Sequence, residues 1–168
     1  MFSREIGFLF GPTTMKSNSG AKSYLHTKIL TASPEDLRLM LYEGAIKFCR
    51  QAKDAIANKD IEGSFNALMR TQKIVLELST SLNHEIAPDL CKKLSEFYIY
   101  IYSRLVGANA DRDAKAVDEV LQLLEFEKQT WQELMERMAE QANTSRRVEQ
   151  TDINGAQQTA ISSFSMDV

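Results

Sequence analysis

The sequence predicts an all-α fold, an antiparallel up-down four-helix bundle, and three observations lead there. Residues 33–142 hold no proline except Pro34 and Pro88 and are dense in Leu, Ala, Glu and Lys. Within them apolar residues recur at intervals of three and four, the period of a helix with one buried face. Turn signals cut this stretch into four segments of roughly 20–30 residues, and helices of that length with short connections pack as antiparallel neighbours. With 7 Gly and 3 Pro in 168 residues there is little turn chemistry for an all-β fold. The 43% apolar content argues against disorder of the whole chain.

The first predicted helix opens at Ser33-Pro34-Glu35-Asp36. The serine hydroxyl can accept from an orphan N–H, proline suits the first helical position, and the carboxylates meet the positive end of the dipole. Its apolar stripe is Leu37, Leu41, Ala45, Phe48, Ala52 and Ile56, and it ends near Asn58. Asp60 caps a second helix with the stripe Ile61, Phe65, Leu68, Val75 and Leu82. Pro88 opens a third, with Leu90, Leu94, Phe97, Ile101, Leu105 and Ala108 in line and Asn109 as a left-handed stop. Asp111 or Asp113 starts the fourth, which carries Val117, Leu121, Leu124, Trp131, Met135 and Met138.

The ends differ in composition. Residues 1–19 read as a disordered N-terminal extension, in which 1–14 precede a second possible start at Met15; residues 20–142 form the helical domain. Residues 143–168, rich in Asn, Thr, Ser and Gln, read as a flexible polar tail. Ile153, Ala156, Ala160, Ile161 and Phe164 keep a rough helical spacing there, so the tail could also imitate a bound helix.

Catalytic and cofactor apparatus is not visible. A di-iron bundle needs Glu-x-x-His pairs on inward faces, whereas His26 and His84 have no Glu three positions upstream and read as surface residues. Neither sits in mid-helix, as a phosphotransfer histidine would. Cys49 and Cys91 fall on different helices and read as small core residues. No nucleotide-binding glycine motif occurs, so the chain reads as no enzyme, with no cofactor and no metal. A net charge of −3 opposes nucleic-acid binding, and no apolar run is long enough for membrane insertion. Two cysteines and no secretory leader suit the cytosol.

The third helix carries more apolar surface than one buried stripe needs. The run Phe97-Tyr98-Ile99-Tyr100-Ile101-Tyr102 covers nearly its full circumference, and Ile74, Leu76 and Leu78 widen the stripe of the second. A central helix with snorkelling tyrosines would explain this; so would a groove that accepts the apolar anchors of a partner helix. Residues 33–109 balance ten basic against ten acidic side chains, while 110–142 carry four and nine. An acidic fourth helix opposite a neutral apolar flank suits a one-sided binding surface. Gly44 and Gly107 interrupt helices at a cost of about 1 kcal/mol each, which close approach of another backbone would justify.

These residues resemble the flagellin export chaperones, the FliS family. The likeness rests on Tyr24, the run Thr31–Leu37, Leu41-Tyr42-Glu43-Gly44-Ala45-Ile46, Ile74–Leu78, Tyr102-Ser103-Arg104-Leu105 with Ala108-Asn109, and Thr130-Trp131. It covers about residues 20–140. The loop Asn83–Pro88 lacks the family's usual glycines, and the two ends are atypical. The resemblance implies a cytosolic helical chaperone, monomer or weak homodimer. It would bind the disordered C-terminal segment of flagellin, prevent premature polymerisation and deliver it to export gate components of the flagellar type III apparatus. It further implies a partner-binding pocket of Ile74, Leu78, Tyr98, Ile99, Tyr102 and Val106, with Asn109 beside it. The N-terminal segment would pack over that groove, with Tyr24, Leu25, Ile29 and Leu30 as a displaceable lid. An adaptor or signalling module for another amphipathic helix is the alternative.

Overall fold

The computed structural model describes the backbone of residues 19–164 and the side chains of 23–144. Among the described residues there are five helices: α1 (Ser19–Thr31), α2 (Pro34–Ala57), α3 (Ile61–Thr80), α4 (Pro88–Asp111) and α5 (Ala114–Phe164). No strand occurs among the described residues. The four predicted helices correspond to α2–α5, and α1 is additional. Residues 1–18, most of the expected N-terminal extension, lie outside the described residues.

The helix boundaries follow from local chemistry. Ser33 is the N-cap of α2: its hydroxyl accepts from the Asp36 N–H, and Pro34 takes the first position. Asp60 caps α3 by accepting from the Gly63 N–H at 2.9 Å. The chain turns from α2 into α3 at Lys59, whose φ of 58° lies in the left-handed region. Asp113, rather than Asp111, caps α5, accepting from the N–H groups of Lys115 and Ala116. The expected stop at Asn109 falls short. Helix α4 runs on to Asp111 and closes at Arg112, whose φ of 54° makes it the left-handed residue and whose N–H bonds the Ala108 carbonyl.

The chain divides into two compact units, Met1–Gln129 and Thr130–Val168, and α5 belongs to both. In the first unit, α2 packs on α3, and α3 on α4. The pairing of α2 with α3 runs antiparallel, because Arg38 bonds the Ser81 hydroxyl while Cys49, further along α2, reaches back to Thr71. Small residues line this contact: Ala45, Cys49 and Ala52 on α2, and Ser64, Ala67 and Thr71 on α3, all buried. Helix α5 runs antiparallel to α2 by the same logic, since Glu43, Arg50 and Lys53 pair with Lys128, Glu125 and Asp118 in descending order. Arg104 of α4 holds Glu119 of α5 at 2.6 Å, and Tyr100 bonds the same carboxylate. Between the helices lies a core that includes Leu41, Leu68, Ile74, Ile101, Leu105, Val117 and Leu124.

In the second unit the backbone stays helical to Phe164, where composition suggests a flexible tail from residue 143. No proline interrupts 130–164, and its Ala, Gln, Glu and Arg are good helix formers, set against weaker ones in its Asn, Thr, Ser and Asp residues and Gly155.

Candidate partner-binding site

Which flank of α3 and α4 carries spare apolar surface follows from their neighbours. On α3, the side toward α2 is marked by three contacts: Arg70 over the Phe48 ring at 5.3 Å, Thr71 with Cys49, and Ser81 with Arg38. Ile61, Phe65 and Leu76 lie on the opposite flank, about half exposed. On α4, the side toward α5 is marked by Tyr100 and Arg104 on Glu119. Ile99, Tyr102 and Val106 lie on the other flank, exposed by 65%, 40% and 46%. Since α3 and α4 pack on each other, both spare flanks border the same α3/α4 seam.

Of the residues expected in the pocket, Ile99, Tyr102 and Val106 thus border the seam. Asn109, half-buried, sits one turn beyond Val106 on the same flank. Ile74, Leu78 and Tyr98 do not: they are 0–1% exposed and belong to the core. The correction for Ile74 and Leu78 is one of helical phase. The face of α3 that meets α2 is set by Ser64, Ala67 and Thr71, and Ile74 and Leu78 continue it. Ile61 and Phe65, expected inside, are turned outward by the same phase. The signal for this phase is the row of small residues at intervals of three and four, which marks a close helix contact more sharply than the larger apolar residues do.

Tyr98 is held inside by chemistry. Its hydroxyl lies 2.6 Å from that of Tyr42. The Tyr42 hydroxyl also meets half-buried Glu127 and Arg38, so the buried phenols have polar partners. Burial pushes both phenols above their usual range, with the Tyr42 contact adding to the rise at Tyr98. Burial likewise raises Glu127, and the Cys49 thiol to about 12, which leaves that cysteine an inert core residue.

The four residues expected in a lid do not share one face of α1. Leu25 and Ile29, one turn apart, share a face of α1, and Ile29 is buried. Tyr24 and Leu30 lie on other faces and are exposed by 71% and 60%. Four residues spread round a helix cannot form one apolar face. Beside the end of α1, Lys28, Thr31 and Ala32 line a cleft with Leu39, Met40 and Glu43 of α2. A Cβ added at Gly107 would meet nothing within 4 Å, so no neighbouring backbone explains that glycine, whereas Gly44 is buried.

No group of three or more His, Cys, Asp or Glu suited to a metal occurs among the described residues. None of the described helices is long and apolar enough to cross a membrane.

An all-helical chain with an apolar seam and these sequence relatives falls among the chaperones of flagellum biogenesis. It belongs to the FliS family, whose family model, "Flagellar protein FliS", matches residues 16–138. The chain is similar to the flagellar secretion chaperone FliS of Bacillus subtilis, 40% identical over 58% of this chain and 72% of that one. The Campylobacter jejuni protein of the same name is 32% identical over 71% of this chain and 94% of its own length. The Salmonella typhimurium one is 30% identical over 71% and 93%. A crystal structure of a flagellar chaperone from bacteria superposes with a TM-score of 0.59 at 22% identity, over 71% of this chain and 97% of that one. At that identity the likeness is one of fold.

Proposed function

We propose that this chain is a cytoplasmic export chaperone, without enzymatic activity, that binds the C-terminal helical segment of flagellin along the α3/α4 seam. Helices α2–α5 act as an antiparallel up-down four-helix bundle that presents this surface. The observation that carries the reading is the double apolar border of the seam, Ile61, Phe65 and Leu76 on one side and Ile99, Tyr102 and Val106 on the other. A surface rimmed in this way accepts the apolar face of an amphipathic helix. Flagellin's terminal segments assemble by burying such faces against one another, so a chaperone that covers them delays polymerisation until the client reaches the export gate. Ordering a disordered client costs about 2–5 kcal/mol of the gross interaction, which calls for a long contact. Asn109, at the end of the α4 flank, bonds client backbone where a client helix breaks.

Release of the N-terminal segment belongs to the same proposal. Helix α1 is anchored through Ile29 and half-buried Leu25, and removing residues 1–30 speeds client association if the segment competes for the seam. An unchanged association rate rejects the lid.

Gel filtration of the chain mixed with purified flagellin, intact or lacking its C-terminal segment, tests the function. Co-elution with intact flagellin only is expected. Co-elution with neither form rejects flagellin as the client and leaves an adaptor for another amphipathic helix.

A further inference from the structure

Three polar residues of α3 are buried, Ser64, Thr71 and Gln72. The first two satisfy their hydroxyls on their own helix: Ser64 donates to the Ile61 carbonyl and Thr71 to that of Ala67. Gln72 is 5% exposed, yet its carboxamide bonds no described residue. Among the described residues no fully enclosed side-chain nitrogen or oxygen lacks a partner, so the Gln72 amide has to open on solvent from the bottom of a recess. Helical phase says where that recess lies. Ile61, Phe65, Gln72 and Leu76 follow at intervals of four, seven and four, which sets Gln72 on the flank of α3 that borders the α3/α4 seam. Phe65 and Leu76 stand out on either side, and Gln72 is sunk between them. The floor of the seam thus holds a neutral donor and acceptor in apolar surroundings.

We propose that Gln72 reads a carboxamide, an asparagine or glutamine side chain carried on the apolar face of the client helix, and so sets which helices the seam accepts. This rests on the seam being the client site. Left open, the recess gives the amide to water. A helix that covers it with apolar side chains alone expels the water and strands a donor and an acceptor together, each at a cost. The client's backbone cannot supply the partner, because within a helix its N–H and C=O groups bond one another. A hydroxyl bonds through a single oxygen and meets one side of the amide at a time, while a charged group would itself lose its hydration against a neutral partner. A second carboxamide returns a donor for the acceptor and an acceptor for the donor. A polar pair within an apolar helix contact also fixes register, since one sliding position of the client brings the two amides together. Such a site discriminates chiefly by rejecting helices that lack the group.

Calorimetric titration of flagellin into the full chain tests this. Gln72→Leu keeps the helical circular dichroism and the thermal midpoint of the parent, while affinity for flagellin falls about tenfold. Gln72→Met, unbranched like glutamine, shows the same loss and serves in its place if leucine disturbs the fold. Single Asn→Leu and Gln→Leu changes along the C-terminal segment of flagellin then find the partner. One of them weakens binding to the parent chain yet binds the Gln72→Leu chain more tightly than intact flagellin does, a coupling that a merely structural glutamine would not show. Undiminished affinity of both Gln72 variants for intact flagellin overturns the proposal and leaves the seam as the client site. So does a loss of affinity that no amide substitution in flagellin relieves. If the parent chain binds no flagellin, the export-chaperone function itself falls, and this proposal with it.

Discussion

The hydroxyls of Tyr42 on α2 and Tyr98 on α4 meet at 2.6 Å inside the protein, joining two helices that are not neighbours in the chain. Their position decides what mutations at Tyr98 report. Tyr98→Phe removes one hydroxyl and leaves Tyr42 with Glu127 and Arg38, so stability falls by about 1 kcal/mol, measured as a lower urea midpoint. Tyr98→Asp buries a carboxylate too short to reach the Tyr42 hydroxyl and empties the space of the ring. It unfolds the first unit, so any loss of flagellin binding in that variant is a loss of fold.

Alkaline pH loosens the fold. Tyr42, Tyr98 and Cys49 all ionise at higher pH in the folded chain than when unfolded, because burial disfavours the charged forms. A group raised in this way contributes stability that is fully present below its unfolded value and is lost as pH climbs through the folded one. For Cys49 that window runs from 9.0 to about 12. Unfolding by urea should therefore need steadily less denaturant above pH 9, and Cys49→Ala should make the decline shallower.

Seam and core residues separate cleanly by experiment. Ile99→Glu with Val106→Glu changes two exposed side chains; helicity and thermal midpoint stay near those of the parent, while flagellin affinity drops by at least about tenfold. Ile74→Ala, at a fully buried position, costs about 2–4 kcal/mol of stability. Calorimetry and a binding titration on both variants check the contrast. Intact affinity after the double Glu change would remove the seam from the binding site.

Gly107 and Gly63 respond differently to alanine. A Cβ on Gly107 enters open space, so Gly107→Ala raises stability by about 1 kcal/mol. At Gly63 the added carbon would lie 2.1 Å from Asp60 Oδ2. The carboxylate must swing away and its cap bond is lost, which offsets the helix-propensity gain. Thermal melts should rank Gly107→Ala above Gly63→Ala.

Much of the fold is legible in the sequence because its signals are local. Ser33, Asp60 and Pro88 mark helix starts through groups on their own turn, and all three act where expected. The stripe of α2 is legible because its large residues, Leu37, Leu41 and Phe48, are also its buried ones. Helix α3 misleads because its tight contact with α2 uses small side chains, which leaves Ile61 and Phe65 for the outside. The six-residue run on α4 announces an excess of apolar surface, but periodicity gives no direction in space. Only the contacts of Glu119 and Thr71 with their neighbours show that Ile99 and Val106 face the seam while Tyr98 turns in. The helix after residue 143 is hidden because a polar composition suits a solvated helix as well as a coil.

The alanine- and serine-lined contact of α2 with α3 has a kinetic consequence. The two helices are joined by only Asn58, Lys59 and Asp60, and their touching residues are close in sequence, so this hairpin can zip up with little loop entropy lost. Its amides should be the slowest in the chain to exchange with deuterium, giving the molecule a stiff spine against which the α4 side of the seam can breathe as cargo enters and leaves.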